Sequence, residues 1–416
     1  MTAPDLPESA RPEPRRGCAK MSSVAQPMIR TPITEELIHG AVELERTVRG
    51  LLPHRLTAAS RAQLGGPVEP KVFSDPSGVR VRFRTAATSV ELVTWPQKHL
   101  VPGGPVNHPP VYDIWCDGRL LAQSTAEGGT VITEDPSTGE VSSREEGPGV
   151  VVLPPLPAGQ KTLEIWLPYQ ERAELVEIRS DAEVHPVPAA PGALRWVHHG
   201  SSISHGYDAV GAGHAWPAVA ARTATAQGRP VELTNLGFAG NAMLDPFAAR
   251  TIRELDADLI TLKLGINVVN GDSHTLRSFA PALHGFLDTI RESRHRRTPL
   301  LVISPLWCGI HETTPGPVEA YEKHDDAGTL RRYFRAAGDP AGAAAGRLTL
   351  QTLRAELERI ITQRAETDPH LHGLSGLALY GAQDAEALPL PDDLHPGHET
   401  HQLIGERFAE QLRAYL

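Results

Sequence analysis

The sequence predicts an α/β fold, a doubly wound parallel sheet, preceded in the chain by an all-β sandwich or jelly roll. Three observations lead there. From Val72 to about Val187, short apolar runs are separated by Gly, Pro, Asp and Ser clusters, and "GVRVRFR" alternates apolar and charged residues with the period of a strand buried on one face. "HPVPAAPGAL", His185 to Leu194, is rich in proline and reads as a semi-rigid linker. Beyond it strand-like and helical patterns alternate, and crossovers of helix length specify a parallel sheet covered on both faces.

Taken in order, "MTAPDLPESARPEPRRGCAKMSSVAQPMIR" has no apolar core of the kind a secretory signal carries, so residues 1–30 are expected to be a disordered leader and the protein cytoplasmic. "TEELIHGAVELERTVRGLLPHRL" places Leu37, Val42, Leu44, Val48 and Leu52 at an imperfect helical spacing that Pro53 interrupts, which predicts a helix. That helix and strands at "GVRVRFR", "VELVTW", "VYDIW", "VVVLP", "LEIWL" and "LVEIR" make residues 31–187 an accessory β-sandwich domain. Residues 188–416 form the second domain. Its expected strands are "LRWVHH", "VELTNL", "LITLKL", "PLLVISPL" and "LSGLALY", and its last helix carries Ile404, Phe408 and Leu412 on one stripe. The interval from Trp307 to Leu348 is long for an α/β connection; a short helical piece, "TLRRYF", is expected there, within a lid or a partner surface.

Composition excludes several functions. The formal charge is −10, with arginines scattered among acids, so the basic stripe of a nucleic-acid binder is missing. No apolar run approaches the roughly 20 residues of a membrane helix. Cys18, Cys116 and Cys308 are odd in number and far apart, which fits reduced thiols, with Cys308 a small buried hydrophobe. "VGAGHAW" has Trp216 where a dinucleotide fingerprint wants glycine, and Pro396 and Gly397 keep His395, His398 and His401 off one helix face, so neither nucleotide nor metal is expected. No cofactor is implied.

The polar clusters converge instead on one edge. "GSSISHG", "NLGFAGN" and "LGINVVN" follow the first three predicted strands, and "PLPDDLHPGH" precedes the last helix, all at the carboxyl edge where such sheets bind ligands. Acyl transfer needs a nucleophilic hydroxyl, a base, a group orienting the base, and donors for the developing oxyanion. Ser202 follows Gly200, where a small residue permits a tight turn; Asp392 and His395 could share one turn; Gly240 offers an unobstructed backbone N–H and Asn267 a side-chain amide. Ser202 alone could equally cap a helix, Ser201 is a rival hydroxyl, and Asp393 a rival carboxylate that we expect to be solvated.

On these residues the chain resembles the SGNH hydrolases, the GDSL superfamily of esterases and acylhydrolases. Gly200-Ser201-Ser202 matches the first family block, with Ser201 where the family usually has aspartate; Asn235 to Gly240 matches the second, Gly265-Ile266-Asn267 the third, and Asp392 to His395 the last. The likeness covers roughly the last half of the chain, and "PVYDIW", Pro110 to Trp115, is similar to a segment of the β-domain that precedes some bacterial members. It implies a flavodoxin-like sheet, Ser202 as nucleophile, His395 as general base, Asp392 as its orienter, and an oxyanion hole of the Ser202 N–H, the Gly240 N–H and the Asn267 amide. The implied substrates are small acyl esters, acetyl first, on small molecules or carbohydrates; an acyltransferase would use the same residues.

Overall fold

The computed structural model describes residues 28–415, apart from 66–69, 105–107, 136 and 326. An eight-stranded sheet with Val90–Leu100 and Arg172–Ser180 at its centre packs on a six-stranded one running through Arg80–Thr85 and Lys161–Trp166. Val79, Val81 and Phe83 are fully buried in the core between them with Leu92, Ile165 and Leu175. Each such side chain contributes about 1.5–3 kcal/mol by leaving water, which is why the alternation is so clean. The opposite face of the same strand is not solvated throughout: Arg80 is buried and Arg82 partly so, because both meet Glu232 of the second domain at 2.8 and 2.7 Å.

The expected N-terminal helix is replaced by a 3-10 turn at Glu35–Leu37, a short strand at Ile38–His39, and a hairpin of Glu43–Arg46 with Leu51–His54. The apolar spacing never made one face: Val48 is 98% exposed in the turn while Leu37 and Leu52 are buried. Backbone pairing of Leu51 with Leu175 at the sheet edge outweighs the weak helical periodicity. Residues 1–27 of the expected leader lie outside the described residues, and its last two, Ile29 and Arg30, belong to a strand, Ile29–Pro32, that pairs with Glu177–Ser180.

In the second domain β1 (Leu194–Gly200), β2 (Val231–Gly237), β3 (Leu259–Lys263), β4 (Leu300–Ile303) and β5 (Leu371–Leu374) form an all-parallel sheet of order β2-β1-β3-β4-β5. This is the doubly wound, flavodoxin-like arrangement. The last strand lies earlier than "LSGLALY" suggested: Leu374 ends it, and Gly376–Ala378 is a 3-10 turn, because the chain must leave the sheet where Gly376 abuts the Pro305 backbone too closely for a Cβ. Helices α1 (Ser202–His205), α2 (Trp216–Ala226), α3 (Pro246–Glu254), α4 (Ile266–Asn270), α5 (Leu276–Arg291), α6 (Leu350–Ala365) and α7 (His398–Leu412) complete the domain. Ile404, Phe408 and Leu412 of α7 are fully buried, on the stripe expected. No helix among the described residues is long and apolar enough to cross a membrane.

"TLRRYF" is a strand. Leu330–Ala336 pairs with Val318–His324 as an antiparallel hairpin in which Tyr321 stacks on Tyr333, and Arg332 and Arg335 face Glu322 and Glu319. These cross-strand partners lie about a dozen residues upstream, outside the window in which a helical spacing was read.

Candidate active site

The strand order reverses on either side of β1, so the switch point, where open α/β sheets leave a crevice, falls at Gly200. Ser202 opens the single-turn α1 directly above it, with Ser201 as N-cap and Gly206 closing the turn at φ +108°. Two glycines let that turn sit on the sheet: a Cβ on Gly200 would run into the Ser204 side chain, and one on Gly237 into the His205 backbone nitrogen. Beneath the turn, Ser204 Oγ lies 2.8 Å from His198 Nε2, and His198 Nδ1 lies 2.6 Å from Thr261 Oγ1. Burial holds His198 well below its usual pKa, so this buried chain is one of neutral groups that fix the turn.

The loop before α7 brings the other predicted groups to Ser202. Asp392 Oδ1 accepts the backbone N–H groups of Leu394 (2.9 Å) and His395 (2.6 Å), closing an Asx-type turn. That turn directs Asp392 Oδ2 to 2.7 Å from His395 Nδ1, and His395 Nε2 reaches Ser202 Oγ at 2.9 Å. The Asp392 bond fixes the tautomer: Nδ1–H donates to the carboxylate, and Nε2 is left to accept from the serine. Ser201 is turned elsewhere, accepting from Ile203 N–H at 3.4 Å, and Asp393 is exposed at φ +71°.

The donors expected for an oxyanion sit on the same edge. Asn267 lies on α4 just past Gly265 and is 2% exposed; its Oδ1 accepts the Ala242 N–H at 3.0 Å, which orients the amide and leaves Nδ2 as the free donor. Gly240, in the turn after β2, has φ +70° and open space where a Cβ would be.

Four groups at or near the site were not foreseen. The Tyr207 ring lies 4.1 Å from the His395 imidazole, and Phe334 of the hairpin meets the imidazole edge-on at 5.2 Å while its backbone N–H donates to the Asp392 carbonyl at 3.0 Å. Lys263, at the end of β3, is pushed down to about 7 by burial, and Cys308 beside it is pushed up to about 12, also by burial. Cys308 is thus the inert buried thiol expected. The N-terminal domain supplies the fourth: Arg55, fully buried, donates to the Gly237 carbonyl (2.5 Å) and the Val72 carbonyl (2.6 Å) and lies 3.3 Å from His205 Nδ1, bracing the turn that holds Ser202. The identity of Phe334 as a site neighbour carries no sequence signal short of pairing the hairpin; Tyr207, directly after "GSSISHG", could have been found by proximity.

The sequence profile of the GDSL-like lipase/acylhydrolase family matches residues 199–403. No curated protein matches the chain. Among solved structures, the salicylyl-acyltransferase SsfX3 from a tetracycline biosynthetic pathway is similar over 93% of this chain and 97% of its own, at 24% identity and a TM-score of 0.73. A GDSL-like lipase from Bacteroides ovatus is similar over 93% and 98%, at 18% identity and a TM-score of 0.63. A family two carbohydrate esterase from Cellvibrio japonicus covers the same shares at 11% identity and a TM-score of 0.55. At these identities the likeness is one of fold, and it extends through the β-sandwich as well as the sheet. Residues 199–403 of this chain belong to the GDSL-like lipase/acylhydrolase family of carboxylic ester hydrolases.

Proposed function

We propose that the protein is a serine esterase that removes small acyl groups, acetyl first, from alcohols including carbohydrates. The observation that carries this reading is the continuous contact from Asp392 through His395 to Ser202 Oγ, at 2.7 and 2.9 Å. In the first half-reaction Ser202 Oγ attacks the ester carbonyl as its proton passes to His395 Nε2. The tetrahedral oxyanion is held by the Asn267 amide and the Gly240 and Ser202 N–H groups, and preorganised donors of this kind supply the largest single share of such catalysis. Collapse breaks the bond to the alcohol, which leaves with the proton from His395. Water then repeats the sequence on the acyl-serine, releasing the acid and restoring Ser202.

A second reading, acyl transfer to an alcohol or amine in place of water, is favoured by the cover over the imidazole. Tyr207 and Phe334 pack on His395, which is 4% exposed, and a dry acyl-enzyme is what transfer requires. The likeness in fold to SsfX3, a salicylyl-acyltransferase, agrees with it. Stopped-flow release of p-nitrophenol from p-nitrophenyl acetate separates the two. Sustained turnover lost in Ser202→Ala supports the esterase, and a burst of one equivalent without turnover supports the transferase. Equal turnover by Ser202→Ala would remove Ser202 from both.

A further inference from the structure

Glu171 stands between the sandwich strands Lys161–Trp166 and Arg172–Ser180, and the chemistry above makes no use of it. The residue is 2% exposed, yet neither carboxylate oxygen meets a hydrogen-bond donor among the described residues. Burying a carboxylate without partners is unfavourable, and nearly all buried polar groups in folded proteins are paired. Burial, opposed by Lys98 and reinforced by Asp75, pushes this carboxyl up to about 7. Among the described residues, the carboxylate is left facing open space with its acceptor sites unused.

Its side chain lines a cavity of about 590 Å³ between the sandwich and the catalytic sheet. Two other wall residues belong to the candidate active site: Tyr207, which packs on His395, and Ala239, the neighbour of Gly240. The cavity therefore adjoins the candidate site through these two residues, on the sandwich side. Small-molecule pockets span roughly 300–1,000 Å³, so this one accepts an alcohol the size of a mono- or disaccharide. Its walls mix signs. Lys71 is engaged by Asp75 at 3.0 Å and by the Gln170 carbonyl at 3.1 Å, and His108 faces Asp208 at 3.2 Å. Such a lining selects no ion of one sign; it suits a neutral molecule bearing several hydroxyls, each able to donate and accept.

We propose that this cavity is the pocket for the alcohol half of the ester, that the alcohol is polyhydroxylic, and that Glu171 accepts a hydrogen bond from one of its hydroxyls and sets specificity. The assignment rests on the serine-esterase reading above, and its test includes a measurement free of catalysis. Saturation-transfer NMR on the full chain, with methyl glucoside, methyl xyloside and sorbitol as probes, reads occupancy of the pocket without any acyl step. At least one probe is expected to bind the wild type, at least ten-fold more weakly to Glu171→Leu, and with intermediate affinity to Glu171→Gln, which keeps the shape and an acceptor oxygen. At pH 8.5, where this carboxyl is ionised, the ratio of kcat/KM for the acetate of that alcohol to kcat/KM for p-nitrophenyl acetate is expected to fall about 10- to 100-fold in Glu171→Leu, the range for losing a hydrogen bond to a charged group. No binding of any probe to the wild type, or equal binding by wild type and Glu171→Leu, overturns the proposal even if the p-nitrophenyl acetate burst is present. Neither burst nor turnover with p-nitrophenyl acetate, with probe binding intact, defeats the esterase reading and leaves the pocket standing. Should Glu171→Leu not fold, a change of less than two-fold in both affinity and selectivity for Glu171→Gln overturns the assignment.

Discussion

Replacing Glu232 by Gln tests whether charge holds the two domains together. Glu232 on β2 receives Arg80 at 2.8 Å and Arg82 at 2.7 Å, and His39 Nδ1 lies 3.7 Å away, all from the sandwich. Burial alone would raise its carboxyl, but His39, Arg80 and Arg82 prevail and hold it at about 2, against an ordinary value of 4.5. At about 1.4 kcal/mol per pKa unit, that difference is worth about 3 kcal/mol of stability. The figure agrees with the 3–5 kcal/mol typical of leaving one member of a buried pair alone, as Arg80, 3% exposed, would be. The sign follows from the depressed value. Stabilisation is complete above the unfolded value near 4.5 and fades as pH falls from there toward 2. Urea denaturation followed by tryptophan fluorescence is the assay, since Trp166 lies under the Arg80 guanidinium at 4.9 Å. Glu232→Gln should lose about 3 kcal/mol at pH 7 and about 1 kcal/mol at pH 3. A loss of the same size at both pH values would mean that packing, not charge, is responsible and would refute the reasoning.

Other outcomes follow from the site. Asn267→Ala should lower kcat for p-nitrophenyl acetate by about 10²–10³ with little change in KM, as for a donor used mainly in the transition state; a change confined to KM would take Asn267 out of the oxyanion hole. Gly237→Ala drives a methyl group into the His205 backbone nitrogen, so a loss of about 1–3 kcal/mol in stability together with activity is expected, read from thermal melts and kinetics side by side. Phe334→Ala uncovers one edge of His395, and the acyl-enzyme should then partition more toward water and less toward added methanol. An unchanged product ratio by chromatography would show that the hairpin does not exclude water.

The alternation of β1 to β4 with their helices was legible because each parallel strand is buried on both faces and reads as a continuous apolar run, as in "LITLKL". The residues brought together at Ser202 were legible for a related reason. Each lies in a turn past a strand end or in the first residues of a helix, so the local turn chemistry that marks it also sets it at the carboxyl edge. What could not be read depended on partners far away in sequence. The segment at 43–54 became a hairpin through pairing with Leu175, and "TLRRYF" became a strand through Val318–His324. Arg80 falls on the charged side of an alternating strand and no pattern singles out Glu171, because an alternating strand or a loop says nothing about which face a second domain will cover.

The clasp made by Arg55 has a consequence for how such chains can be cut and recombined. Its guanidinium ties the Val72 and Gly237 carbonyls together, while Ser77 Oγ donates to the His205 carbonyl and receives Asn235 Nδ2, and the Tyr169 hydroxyl reaches the Ala209 carbonyl. A chain begun after the proline-rich linker would open the Gly237, His205 and Ala209 carbonyls to water around the very turn that carries Ser202. The sandwich is thus a buttress for the Ser202 turn rather than a passenger. Exchanging it between relatives would have to carry both sides of the seam at once, so the two halves are expected to have diverged together.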